Sequence, residues 1–98
     1  MTDMTIANVI LEQLGHRRFI VMTGAKNLVG GERTLAFHLP IIRKFFEVKL
    51  EYNDTYTLSL FTIDRKNGTR KVKTMLADVY CDNLRETFES MTGLYTSL

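Results

Sequence analysis

The sequence predicts an α+β domain: an antiparallel β-meander of about five strands, with one N-terminal and one C-terminal helix packed on one face. Three observations carry this. Apolar residues recur at helical spacing near each end, at Ile6, Val9, Ile10 and Leu14, and again at Cys81, Leu84, Phe88 and Met91. Between them, segments 44–52 and 56–64 alternate with the period of two that a strand requires. Short turn signals at Asn53-Asp54-Thr55 and Asn67-Gly68 join neighbouring strands, which forces them antiparallel. At 98 residues the chain makes a single domain, 1–98.

The first helix is expected over 3–14, capped by Thr2 or Asp3 and ended by Gly15. Residues 17–23, Arg-Arg-Phe-Ile-Val-Met-Thr, are rich in strand formers and read as a strand. Gly24 to Glu32 reads as a loop. Residues 33–39 read as the next strand, stopped by Pro40.

In 44–52, Phe46, Val48, Leu50 and Tyr52 share one face, and Phe45, Glu47, Lys49 and Glu51 the other. Tyr56, Leu58 and Leu60 share a face of the following strand. A two-residue turn at Asn53-Asp54 would set apolar against polar side chains on both faces. A half-buried sheet disfavours that. A three-residue turn pairs Tyr52 with Tyr56, Leu50 with Leu58 and Val48 with Leu60. At the next hairpin, Asn67-Gly68 suits a two-residue turn with both residues at positive φ. It would pair Lys66 with Thr69, Asp64 with Lys71, Ile63 with Val72 and Leu60 with Met75.

The helix-covered face is therefore expected to hold Phe46, Val48, Leu50, Tyr52, Tyr56, Leu58, Leu60 and Met75. A closing helix is expected over 79–92, capped by Asp78. Cys81 lies on its apolar stripe as a buried, inert thiol. Gly93 ends it, with Leu94 packing back on Phe88 and an extended tail to Leu98.

Composition narrows the function classes. The hydrophobic fraction is 45 % and the charged fraction 24 %, ordinary for a globular chain. One cysteine excludes an intrachain disulfide. No window approaches the ~20 apolar residues of a membrane span, and the N-terminal residues lack an export pattern. A cytoplasmic setting without membrane contact is expected. Net charge is +2 but uneven: residues 16–77 carry twelve Lys/Arg against five acids, while both flanking segments are acidic.

Met22-Thr-Gly-Ala-Lys-Asn-Leu-Val-Gly-Gly31 invites comparison with a phosphate-binding loop. Such a loop needs G-x-x-x-x-G-K-[ST] leading into a helix. Here Lys26 precedes Gly30-Gly31, and a strand pattern follows. A mobile binding or packing loop with no bound nucleotide is expected. His16 and His38 have no Cys, Asp or Glu at ligand spacing, so no metal site is expected. No catalytic constellation can be argued from spacing, and neither an enzyme nor a cofactor is expected.

Five of the nine residues 65–73 are basic: Arg65, Lys66, Arg70, Lys71 and Lys73. On a projecting hairpin they could track a phosphate backbone, with Lys49 and Lys26 adding charge. Lys and Arg on hairpin tips also serve to block aggregation. The face opposite the helices should show Phe45, Phe61, Ile63, Val72 and Leu76 among Lys49, Thr57, Ser59 and Thr74. Such a face can stack nucleobases, dock a protein or a second copy of the chain, or be covered by segments 17–23 and 33–39 or by the N-terminal helix. The leading expectation is a small binding protein contacting DNA or RNA through the basic hairpin. The alternative is a protein-interaction module, such as an inhibitor or regulator of a host defence protein. It would use Phe45, Phe61, Ile63 and Val72 and the acids Asp82, Glu86 and Glu89. The small size also admits a homodimer.

The words "RRFIVMTGAKN" and "TGLYTSL" resemble small proteins of phages, plasmids and integrated mobile elements. The resemblance spans nearly the whole chain. It implies a mobile-element setting and supplies no catalytic residues. Small proteins in that setting are often nucleic-acid accessories or inhibitors of host defence.

Overall fold

The structure, a computed structural model, describes residues 5–94. The expected caps at Thr2 and Asp3 and most of the expected tail lie outside the described residues. The elements run α1 (Thr5–Leu14), α2 (Arg17–Thr23), β1 (Lys26–Gly30), β2 (Thr34–Leu39), β3 (Lys44–Leu50), β4 (Tyr56–Ile63), β5 (Arg70–Val79), a 3-10 turn (Cys81–Asn83) and α3 (Leu84–Thr92). The five strands form one antiparallel sheet in sequence order. This is the α+β meander that the alternating segments predict. No helix among the described residues is long and apolar enough to cross a membrane.

The helices bury one sheet face. Ala7, Ile10 and Leu14 of α1, Phe19 of α2, and Leu84 and Phe88 of α3 meet Leu35, Phe37, Leu39, Phe46, Val48, Tyr56, Leu58 and Leu60. Four rings interlock at the centre. Phe88 lies 4.9 Å from Phe46 and 5.3 Å from Phe19, and Phe19 lies 5.1 Å from Phe37, all edge to face. Edge-to-face contact sets the positive ring edge against the negative ring face. The Tyr56 hydroxyl donates to Gln13 Oε1 at 2.7 Å, tying β4 to α1.

Segment 17–23 is helical, not a strand. Phe19 and Thr23, four residues apart, are fully buried, while Val21 between them is exposed. That is the 3.6-residue period overriding β propensity. The Thr23 hydroxyl donates to the Phe19 carbonyl at 2.7 Å, and Gly24 closes the helix in the left-handed region, donating to Ile20 O. The expected loop at Gly24–Glu32 contains β1 instead. Leu28 packs against the core, and β1 pairs with β2. Gly31 then closes a tight turn by donating to Thr34 O.

Two registers also differ from expectation. β3 and β4 pair Leu50 with Tyr56, Val48 with Leu58 and Phe46 with Leu60, two residues away from the three-residue-turn register. The faces are unchanged because the slip is even. The loop is longer because Glu51 N donates to Thr55 O, Asp54 N donates to Glu51 O, and Asp54 takes φ 65°. Tyr52 therefore leaves the sheet and is 88 % exposed, with the Arg33 guanidinium over its ring.

At the second hairpin the turn spans Arg65–Gly68. Asp64 captures it: Oδ1 accepts from Lys66 N, Oδ2 accepts from Asn67 Nδ2, and Gly68 N donates to Asp64 O. Gly68 alone of the Asn-Gly pair has positive φ. Ile63 pairs with Arg70 and Phe61 with Val72, and Lys73 is then extra: Leu60 pairs with Thr74. This β-bulge exchanges the faces beyond it. Met75 is opposite Ser59 and 61 % exposed, not in the core, while Leu76 and Thr74 lie on the helix side. A second irregularity follows at Ala77-Asp78, where Asp78 has φ 59°. Asp78 is thus a strand residue and caps no helix. α3 starts at Leu84, with Cys81 in the preceding turn and exposed instead of buried. Gly93 ends α3 in the left-handed region, donating to Glu89 O, and Leu94 packs on the core.

Candidate nucleic-acid interface

Both N-terminal helices and α3 pack on the core side. Among the described residues no element covers the other face. Segment 17–23 and α1, two candidates for covering it, contribute Phe19, Ile10 and Leu14 to the core instead.

Register places one cross-strand row at the centre of this open face: Lys26, His38, Phe45, Phe61 and Val72. Side chains directly opposite in antiparallel strands are near enough to touch. His38 stacks on Phe45 at 4.6 Å with 29° between the planes, and Phe45 stacks on Phe61 at 5.7 Å with 16°. Phe45 is half-buried. Phe61 is only 2 % exposed because the Arg70 guanidinium lies 4.0 Å above its ring. Arg70 Nη1 also binds Glu47 Oε1 at 3.2 Å. The row beside it holds Val29, Ala36, Glu47, Ser59 and Met75, and beyond that Lys49 faces Thr34 and Thr57. Lys49 Nζ is 3.9 Å from Glu51 Oε1.

At one end of the stack, His38, Arg43, Phe45, Thr62, Ile63 and Arg65 line a cleft of about 540 Å³. Arg43 comes from the β2–β3 turn, where it takes φ 56°, and Arg65 from the β4–β5 turn. Two guanidinium groups thus border an aromatic stack. Guanidinium groups bind phosphate oxygens bidentately, and exposed rings stack bases.

The hairpin cations do not act as one cluster. Arg65 and Lys66 are exposed at the tip. Arg70 is folded back onto Phe61 and Glu47. Lys71 is opposite Thr62, on the side away from the stack, and Lys73 sits at the bulge. The acids Asp82, Glu86 and Glu89 lie elsewhere: with Gln13, Cys81 and Arg85 they line a groove between α1 and α3. Charge is therefore divided, basic around the open face and its turns, acidic along α3. Lys26 opens β1, and Gly30-Gly31 leads into a strand with no helix to hold phosphate.

Sequence reasoning missed His38 and Arg43. Alternation with Thr34 and Ala36 gives the face of His38, but only the β2–β3 pairing sets it beside Phe45, and Arg43 lies in the turn between those strands. Among the described residues no group of His, Cys, Asp or Glu is arranged to hold a metal ion. Comparisons with family models, curated proteins and solved structures find no match.

Proposed function

We propose that this chain is a small non-enzymatic binding protein that holds single-stranded nucleic acid on its open sheet face. The observation that carries the reading is the His38–Phe45–Phe61 row, half-buried at His38 and Phe45 and capped by Arg70 at Phe61, with Lys26, Arg43 and Arg65 beside it. Bases stack on aromatic rings whatever their identity, and the backbone follows the cations. The basic hairpin tip extends the track, and the acidic side of the molecule keeps the strand from the helices. A mobile-element setting, implied by the resemblance of the "RRFIVMTGAKN" and "TGLYTSL" words, suits such an accessory protein. The lone exposed Cys81 suits a reducing cytoplasm.

The test is binding of a labelled oligonucleotide across a salt series. Log affinity should fall linearly with log salt, by roughly 0.7 per phosphate contacted. Replacing Arg65 and Lys66 together with alanine should flatten that slope. An unaltered slope and affinity in that variant would refute a role for the hairpin tip.

A second reading rests on a separate observation. Val72 and Met75 are exposed near each other on the open face of β5, and contiguous apolar surface marks protein docking. A host protein bound there would survive nuclease treatment of a pull-down, whereas nucleic-acid-bridged partners would be lost.

A further inference from the structure

We infer that β5 is the interface between two copies of this chain, paired edge to edge and antiparallel, so that two five-stranded sheets join into one of ten strands. Among the described residues β5 is the longest strand, with ten residues, and it is hydrogen-bonded on one side only, to β4. Every residue from Arg70 to Asp78 is exposed, and only Val79 is buried. The Lys73 bulge sets apolar side chains on both faces: Val72 (51 % exposed) and Met75 (61 %) on the open face, Leu76 (44 %) on the helix side. A strand bare on both faces and along one edge is a template for another strand. The opposite edge is not comparable. β1 has only five residues, half the length of β5.

The strand's charge pattern identifies the occupant. Arg70, Lys71 and Lys73 stand at one end of β5. Asp78 stands at the other, with Asp82 just beyond. Antiparallel pairing about a two-fold axis lays the basic end of each copy beside the acidic end of its mate. The regular stretch Thr74–Leu76, between the two bulges, sits at the axis. An axis normal to the sheet keeps both open faces on the same side, so the two aromatic rows become parts of one surface.

Light scattering on nuclease-treated protein tests this. The expected mass is about twice the 11.3 kDa of one chain. Lys71→Glu/Lys73→Glu makes the strand acidic at both ends, and Asp78→Lys makes it basic at both ends. Each alone should self-associate at least about tenfold more weakly, because like charges then face each other. An equimolar mixture of the two should recover the double mass as a heterodimer. Met75→Lys, whose side chain is exposed, tests the centre of the strand without touching the core. A single-chain mass for the wild type at every concentration would overturn the inference. So would a dimer indifferent to all these variants, or a mixture that stays monomeric while circular dichroism shows both variants folded.

Discussion

Replacing Phe45 with alanine separates binding from folding more cleanly than any other change on the open face. The ring is half-buried, so little core is lost. What disappears is the middle of the stack, with His38 at 4.6 Å on one side and Phe61 at 5.7 Å on the other. Each aromatic pair contributes about 0.5–1.5 kcal/mol beyond area burial, so stability should drop by roughly 1–3 kcal/mol. At about 4–8 °C per kcal/mol for a domain near this size, the melt falls by roughly 4–24 °C. His38 and Phe61 take both sides of Phe45, so its loss acts on binding by disordering the row; if one stacked base is lost with it, worth about 1–3 kcal/mol, oligonucleotide affinity should fall about 5- to 150-fold.

The assay is fluorescence anisotropy with a labelled single strand, run well below the lowered melt. The salt slope should be unchanged, because phenylalanine neutralises no phosphate. Tyr52→Ala is the control: its ring is exposed but stands off the row, under Arg33. It should bind as the wild type does. If Phe45→Ala folds and binds within twofold of the wild type, the row is not a stacking platform. A fall in affinity accompanied by a flatter salt slope would equally contradict the reasoning.

Phe88→Ala should act on stability alone. It empties the centre of the ring cluster and should cost about 3–5 kcal/mol, lowering the melt by at least roughly 12 °C in differential scanning calorimetry. The Tyr56 hydroxyl titrates above its ordinary value of 10.0, first because of burial, then because of the nearby Cys81; the Gln13 hydrogen bond works in the opposite direction. A raised value means the folded state holds the proton more tightly. Its contribution is complete below about pH 10 and is lost as pH rises through the folded value. Denaturant midpoints should therefore decline above pH 10, and Tyr56→Phe should shrink that decline while losing the Gln13 bond.

The face pattern of β3 and β4 was legible because side-chain parity is a local property. Phe46 and Val48 had to share one face of β3 and Leu58 and Leu60 one face of β4; only an even register sets the two pairs against each other. Turn length was not legible, because it depends on hydrogen bonds such as Glu51 N to Thr55 O that no residue type announces. Arg17–Thr23 misled because Phe, Ile and Val favour strands in isolation. Burial of Phe19 against Phe37 and Phe88 decided for the helix, and that contact joins residues far apart in sequence. Asn67-Gly68 was outcompeted by Asp64, whose carboxylate collects two donors three residues or fewer away. The open-face row was half legible: Phe45 and Phe61 followed from alternation, but His38 needed the β2–β3 pairing. The hairpin cations read as one cluster along the chain. In space Arg70 belongs to Phe61 and Glu47, a division that only the register could make.

The bulge at Lys73 also bears on how the length of this chain can change. Because Val72 and Thr74 already face opposite sides of the sheet, Lys73 is an inserted unit between two correctly phased half-strands. Its removal would leave an ordinary ladder from Arg70 to Leu76, with every other β5 side chain facing as before. Losing Lys71 or Met75 instead would turn the residues on one side of the gap over. Single-residue gains and losses in relatives should therefore be tolerated at Lys73 and at the second irregularity, Ala77-Asp78, and excluded from the regular stretch between them.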